Sequence, residues 1–171
     1  MDRSATAAAS PASAARGRLT SSSPEQTRFL GRALGAAAEP GALIALRGPL
    51  GAGKTQLAKG VAEGLGVATV VNSPTFVLMN EHQGRLRLFH VDAYRLSDPE
   101  EALAAGLLDD RQLAGVTVIE WADRLAGWLP DDRLDMELVP DDATTDRRVI
   151  TWSAGGDASR RLALAIEGAA P

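Results

Sequence analysis

Residues 48–55 constrain this chain more than any other part of its sequence. They read Gly-Pro-Leu-Gly-Ala-Gly-Lys-Thr and match the pattern G-x-x-x-x-G-K-[ST] without a mismatch. The motif follows residues 42–47, an apolar run typical of a buried strand, and leads into residues 54–65, which read as a helix. A strand, a glycine-rich turn and a helix N-terminus in this order predict a phosphate-binding loop within an α/β fold.

The chemistry of phosphate binding explains the residue types in this loop. Glycines allow backbone angles at which successive N–H groups point at phosphate oxygens, and the following helix adds the positive end of its dipole. Lys54 would bring a compact charge to the β- and γ-phosphates, and the Thr55 hydroxyl would bind Mg²⁺. The predicted nucleotide contacts in and beside the loop are Gly48, Pro49, Leu50, Gly51, Ala52, Gly53, Lys54, Thr55 and Gln56.

Two acidic residues follow predicted strands and are candidates for binding Mg²⁺ or positioning water. Glu120 follows the continuous apolar run 116–119, and Asp92 follows residues 85–91. Ligand sites in open α/β sheets lie at the carboxyl ends of strands, so we expect both carboxylates near the phosphate-binding loop. His90 shares a strand face with Asp92, although a single histidine there is more often a packed or hydrogen-bonded residue than a ligand.

The rest of the chain predicts one domain with a mixed sheet. Outside the loop, one helix is expected to begin at Ser22 or Ser23. Two further helices are expected at residues 98–105 and 160–166. Two hairpins are expected to join residues 75–79 with 85–91, and residues 134–139 with 149–153. We therefore expect a P-loop NTPase-like three-layer sandwich whose sheet is mainly parallel, with antiparallel additions.

Length and composition agree with a single globular domain. The chain has 171 residues, of which 45% are apolar and 23% charged. Residues 1–18 are rich in Ala and Ser and are expected to form a disordered extension, with an organelle transit peptide as the alternative. Residues 19–171 are the predicted domain. The absence of cysteine excludes disulfides, thiolate metal sites and a cysteine nucleophile.

Several classes of protein fit the sequence less well. The longest uncharged stretch, residues 64–80, contains Asn72, Ser73 and Pro74, so no membrane span is expected. The N-K-x-D motif with which GTPases read guanine is absent from the sequence. Adjacent arginines, which would suit a kinase lid, occur only at residues 147–148 and 160–161. A P-loop small-molecule kinase stays the alternative to an ATP hydrolase.

Four short blocks occur in order along the chain and carry a family resemblance. They are GPLGAGKT at residues 48–55, SPTFVL at 73–78, HVDAYRL at 90–96 and IEW at 119–121. Together they resemble the TsaE family, the small bacterial P-loop ATPases of tRNA threonylcarbamoyladenosine synthesis. The resemblance runs from about Leu19 to Ser153.

The resemblance implies a function as well as a fold. It implies an accessory subunit that binds ATP and Mg²⁺, hydrolyses ATP slowly, and sustains turnover by TsaD and TsaB, which modify tRNA. It also implies that the subunit is not itself the threonylcarbamoyl transferase. A net charge of −4 gives no broad nucleic-acid footprint, so we expect tRNA contact only through these partners. A cytoplasmic location is expected with this function.

The resemblance also implies roles for single residues. Positions that match Thr55 and Glu120 hold Mg²⁺ in the family, and the position of Asp92 is needed for hydrolysis. Residues 73–75 match a switch segment near the γ-phosphate, which makes Thr75 a third candidate, beside Asp92 and Glu120, for positioning the attacking water. The positions that match the adenine-facing part of the family are Ser23 and Thr27.

Overall fold

A computed structural model describes residues 16–74, 78–142 and 146–170 of the chain. Seven strands form one sheet with helical segments on both faces. The strands are β1 (Arg16–Ser21), β2 (Leu43–Arg47), β3 (Met79–His82), β4 (Leu88–Asp92), β5 (Val116–Glu120), β6 (Leu134–Pro140) and β7 (Arg148–Ala154). The helices are α1 (Pro24–Ala37), α2 (Lys54–Gly64), α3 (Pro99–Ala104) and α4 (Asp157–Ala169), with 3-10 turns at Asp110–Ala114 and Ala122–Leu125.

The sheet has the order β1-β7-β6-β2-β5-β4-β3. Its centre is parallel, because β2 pairs in parallel with both β5 and β6, and β4 pairs in parallel with β5. Antiparallel pairs extend it at both edges: β6 with β7, β7 with β1, and β4 with β3. The predicted mixed α/β sheet is confirmed, and the carboxyl ends of the parallel strands meet beside the loop that follows β2.

The two faces of the sheet are covered by different elements. One face packs against α1, α2 and α4 through the larger apolar cluster, which includes Leu30, Leu57 and Ile166. The other face packs against α3 and the second 3-10 turn through a smaller cluster that includes Ala102 and Leu125. All five residues of β5 are buried, which agrees with the buried central strand predicted at residues 116–119.

Helix α1 lies directly against α2 because glycines face each other between them. A Cβ atom built on Gly35 would lie 2.1 Å from the carbonyl oxygen of Val61, and one built on Gly60 would lie 2.0 Å from that of Arg28. Neither position can carry a side chain without separating the helices. The close contact brings the first turn of α1 beside the predicted phosphate-binding loop, where the methyl carbon of Thr27 would lie 3.8 Å from a Cβ atom built on Gly53.

The N-termini of two helices are capped by residues that the sequence predicts as caps. The Ser23 hydroxyl accepts a hydrogen bond from the Gln26 N–H at 3.1 Å, so Ser23, not Ser22, caps α1. Asp98 caps α3 by accepting from the Glu100 N–H at 2.9 Å. No helix among the described residues is long and apolar enough to cross a membrane.

Two expectations about the elements differ from the structure. The predicted extension, residues 1–18, overlaps strand β1, which begins at Arg16, so the folded part starts earlier than the expected boundary at residue 19. The disorder expected of residues 1–15 stays a prediction, because they lie outside the described residues. Of the predicted strand 75–79, residues 75–77 lie outside the described residues; the strand that the structure describes there, β3, runs from Met79 to His82, so the predicted hairpin turn at 80–84 lies too early in the chain. Strands β1 and β3 are the two edges of the sheet. Edge strands such as β3, with the sequence MNEH, lack the apolar pattern that marks buried strands.

Candidate functional site

The predicted phosphate-binding loop, residues 48–55, bends sharply between β2 and α2 and lines one side of a cavity. Gly48, Gly51 and Gly53 have positive φ values of 140°, 76° and 100°, which explains why glycine is needed at these positions. The cavity has a volume of about 390 Å³. Its lining residues are Leu50, Gly51, Ala52, Gly53, Lys54, Thr55, Gln56, Ser73, Asp92, Tyr94, Glu120 and Trp121.

Arg148, at the start of β7, holds this loop from outside the cavity. Its Nε atom donates to the carbonyl of Ala52 and its Nη2 atom to that of Gly51, each at 3.1 Å. Both carbonyls are thereby tied to the guanidinium on the sheet side of the loop. Nothing in the sequence indicates this contact, because Arg148 is 97 residues from Gly51.

Lys54 is nearly buried and is held by the loop to which it belongs. Its Nζ atom donates to the carbonyl oxygens of Gly48 at 2.6 Å and Pro49 at 2.9 Å. Burial lowers the pKa of the Lys54 ammonium below its ordinary value, although nearby carboxylates, of which Glu120 has the largest effect, act in the opposite direction. A bound phosphate would bring negative charge into the cavity, and that charge would stabilise the protonated ammonium of Lys54.

Trp121 covers the Lys54 ammonium from the opposite wall. The centre of its ring is 3.9 Å from Lys54 Nζ, within the range of a cation–π contact, and 4.8 Å from the ring centre of Tyr94. Trp121 has φ 58°, and it is the one non-glycine residue with positive φ among those the structure describes. This conformation costs on the order of 1–3 kcal/mol and turns the chain directly after β5, so that the indole faces the cavity.

Thr55 and Glu120, the two predicted metal ligands, lie in direct contact. The Thr55 hydroxyl is 2.9 Å from Glu120 Oε2 and 3.1 Å from Oε1. A hydroxyl and a carboxylate are the hard oxygen ligands that Mg²⁺ prefers, so this pair could hold a metal together with phosphate oxygens. Within residues 16–74, 78–142 and 146–170, no group of three or more acidic or histidine side chains could form a metal site by itself.

Asp92 lies next to Glu120 because β4 and β5 are paired in parallel with these two residues in register. Its Oδ2 atom accepts a hydrogen bond from the Ser73 hydroxyl at 2.6 Å, and its Oδ1 atom accepts from the Tyr94 N–H at 2.9 Å. The carboxylate is therefore fixed at the cavity wall. Tyr94 lies in the block HVDAYRL, but the sequence reasoning assigned it no role at the site.

The remaining predicted residues lie beside the cavity or outside the described structure. Thr27 is buried beneath the loop, and its hydroxyl lies 2.7 Å from that of Ser21, while Ser23 is occupied in capping α1. Neither residue lines the cavity, and their assignment to adenine stays a prediction. Thr75 lies outside the described residues, so its predicted role near the γ-phosphate also stays a prediction.

Known proteins match most of the chain. The family model described as "Threonylcarbamoyl adenosine biosynthesis protein TsaE" matches residues 21–150. A protein of Bacillus subtilis with the name "tRNA threonylcarbamoyladenosine biosynthesis protein TsaE" is 43% identical over 135 residues, covering 78% of this chain and 83% of that protein. A protein of the same name from Treponema pallidum is 40% identical over 121 residues, covering 71% of this chain and 90% of that one.

A solved structure agrees with these sequence matches. The crystal structure of Bacillus subtilis YdiB aligns with a TM-score of 0.72 and 32% identity, covering 90% of this chain and 95% of that chain. The family model alone spans far more than half of the 171 residues. The chain therefore belongs to the TsaE family of tRNA threonylcarbamoyladenosine biosynthesis proteins.

Proposed function

We propose that the chain binds ATP with Mg²⁺ in the cavity beside residues 48–55 and hydrolyses it slowly, as an accessory subunit of tRNA threonylcarbamoylation. The observation that carries this proposal is the convergence of Lys54, Thr55, Glu120 and Asp92 around one cavity. Lys54 and Thr55 end the glycine-rich loop, and the two carboxylates end strands β4 and β5 beside it. A cation, a hydroxyl and carboxylates are the groups that phosphoryl transfer to water requires.

The loop and Lys54 would bind the phosphates of ATP. Backbone N–H groups of the glycine-rich turn and the N-terminus of α2 provide donors for the phosphate oxygens. Lys54 Nζ, now hydrogen-bonded to the carbonyls of Gly48 and Pro49, would exchange these contacts for the β- and γ-phosphates. A bound Mg²⁺ would neutralise part of the negative charge that develops on the phosphates. Thr55 and Glu120 would hold that ion, since their oxygens already meet at hydrogen-bond distance.

Asp92 is the best-supported residue for orienting the attacking water. Both of its oxygens are fixed by neighbouring donors, Ser73 and Tyr94, and its side chain reaches the cavity. Glu120 accepts a hydrogen bond from the Thr55 hydroxyl. Thr75, which lies outside the described residues, is the third candidate for orienting the water. The described residues that line the cavity include no arginine. We therefore propose that a partner protein supplies the cation that speeds hydrolysis, which would make the ATPase activity partner-dependent.

The partners that we propose are TsaD and TsaB, with tRNA contacted only through them, in the cytoplasm. The net charge of −4 supports an indirect contact with tRNA, because direct binding draws on clustered positive charge. Exposed apolar side chains at the cavity, Leu50 at 84% and Tyr94 at 50% exposure, are suited to a protein partner.

Phosphate release, measured with and without Mg²⁺ and with and without TsaD–TsaB, tests this proposal. Slow Mg²⁺-dependent release that rises with TsaD–TsaB and is lost in Lys54→Ala is the expected result. If ADP release instead rises on addition of a small hydroxyl compound that becomes phosphorylated, the chain is a small-molecule kinase. Absence of ATP binding by the folded protein contradicts both functions.

A further inference from the structure

His90 contacts Glu120 from inside the protein. Its side chain has no solvent exposure, and its Nε2 atom lies 2.8 Å from Glu120 Oε1. Its Nδ1 atom has no hydrogen-bond partner within the described part of the chain. Among the residues that the structure describes, the polar contact of the ring is thus with the proposed metal-binding carboxylate.

The chemistry of the two groups determines the direction of this hydrogen bond. An ionised carboxylate only accepts hydrogen bonds, so the Nε2–H of His90 must donate to Glu120 Oε1. Thr55 donates to the same carboxylate, with its shorter contact, 2.9 Å, to Oε2. His90 therefore contacts Oε1 of Glu120 from the core side, and Thr55 makes its shorter contact with Oε2.

The position of His90 gives no structural reason for a polar ring. Side chains alternate along strands, so His90 shares its face of the sheet with Leu88 and, in register on β5, with Val118. Both of these residues belong to the larger apolar cluster beneath α2. An aliphatic side chain would fill this volume without burying a ring nitrogen. The histidine gains its contact with Glu120, which is itself only 2% exposed and needs donors there.

We propose that His90 is a positioning residue that fixes the orientation of the Glu120 carboxylate, so that Glu120 and Thr55 together receive the divalent cation that accompanies the nucleotide. This inference rests on the proposed function, because it assumes that nucleotide and cation bind at this cavity. Donors that orient a ligating carboxylate typically change metal affinity or activity by about 10–100-fold when they are removed.

The test compares nucleotide affinity with and without Mg²⁺ in variants of His90. His90→Gln retains an N–H donor at a similar reach, whereas His90→Leu removes the donor and suits the apolar surroundings. Phe89→Leu is the matched control, because Phe89 is buried in the same strand but lies on the opposite face. Calorimetric titration with a non-hydrolysable ATP analogue gives the ratio of the two dissociation constants, which we call the magnesium enhancement.

We expect His90→Leu to reduce the magnesium enhancement by about tenfold or more, with little change in metal-free affinity. His90→Gln should recover most of it, and Phe89→Leu should keep it even where its melting temperature falls. If His90→Leu does not fold, His90→Asn replaces it, because the shorter amide cannot reach Glu120 from the same backbone position. Melting temperatures and circular dichroism of each variant identify those that fold.

Each result separates this inference from the proposed function. If the wild-type protein binds no nucleotide, the proposed function itself fails. If the wild type shows a magnesium enhancement and the donor-free variant keeps it, only the role of His90 is overturned. An equal loss of affinity with and without Mg²⁺ also overturns it, because this pattern indicates a general structural effect.

Discussion

The ammonium nitrogen of Lys54 lies 3.9 Å from the ring centre of Trp121 while it donates hydrogen bonds to the carbonyls of Gly48 and Pro49. The cation of the phosphate-binding loop is therefore fully engaged by the protein. These contacts must be weakened when a phosphate chain takes the ammonium as its partner. Trp121, which adopts a left-handed backbone conformation to reach this place, is thus suited to report on the state of Lys54.

Nucleotide binding should change the fluorescence of Trp121. We expect the indole emission to shift when ATP is added, because the positive charge above the ring moves toward the phosphates. The chain has three tryptophans, so Trp121→Phe should abolish the signal and Trp128→Phe should preserve it. A signal that survives in Trp121→Phe contradicts this account of the Lys54 contact.

Asp92→Asn should separate nucleotide binding from hydrolysis. The amide keeps the size of the side chain but lacks the charge that orients and polarises water, so hydrolysis should fall about 100-fold or more. The affinity for ATP should stay within a few-fold of wild type. Asp109→Asn serves as control, because Asp109 also accepts a backbone hydrogen bond, from the Arg111 N–H at 2.8 Å, but does not line the cavity. Equal hydrolysis rates in both variants contradict the role of Asp92.

Arg148→Gln should weaken nucleotide binding although Arg148 does not line the cavity. Its guanidinium holds the carbonyls of Gly51 and Ala52, and loss of these bonds lets the loop sample conformations that do not bind phosphate. We expect about a tenfold loss of affinity, equivalent to about 1.4 kcal/mol. The neighbouring substitution Arg147→Gln is the control, because Arg147 forms an exposed ion pair with Asp141 instead. Calorimetric titration measures the nucleotide affinity of both variants, and equal affinities would contradict this explanation.

Much of the site could be predicted from the sequence because its parts are local. The glycines and Lys54 lie in one contiguous motif, and Asp92 and Glu120 each end a strand. Parallel pairing of those strands then places the carboxylates side by side without further information.

Contacts between distant segments could not be predicted in this way. The bonds from Arg148 to the loop depend on the pairing of β6 with β7, and the cover that Trp121 gives Lys54 depends on a single backbone angle. Strand β1 was missed for a related reason: RGRLTS has no clear alternation, and it is a strand because β7 offers an unpaired edge. The shared face of His90 and Asp92 followed from the period of a strand, but the partner of His90 did not.

Stability should fall in acid partly through Asp132, which caps helix α4. Burial acts to raise the pKa of this carboxyl, but donors on Ser159 and Ala158 outweigh it, so the pKa lies below its ordinary value of 3.8. A depressed pKa in the folded state means that this stabilisation is fully present above pH 3.8. It is lost as the pH falls through the lower folded-state value.

Asp132→Ala should therefore cost about 1 kcal/mol of unfolding free energy at pH 7, as for loss of a helix cap, and less near pH 3. Asp157→Ala is the control, because the Asp157 side chain is 88% exposed and its ion pair is with Arg160 in the same helix. Urea unfolding at both pH values measures the difference. A cost that stays constant between them contradicts the assigned role.

The most direct test of the account is threonylcarbamoylation of tRNA over many turnovers, reconstituted from TsaD, TsaB and the enzyme that makes their substrate. The reaction is run without this chain, with this chain, and with Lys54→Ala. We predict that only the intact chain sustains turnover and that it needs hydrolysable ATP to do so. If Lys54→Ala sustains turnover equally, or if the intact chain adds nothing where a TsaE known to work with these partners does, the proposed ATP-dependent role is wrong.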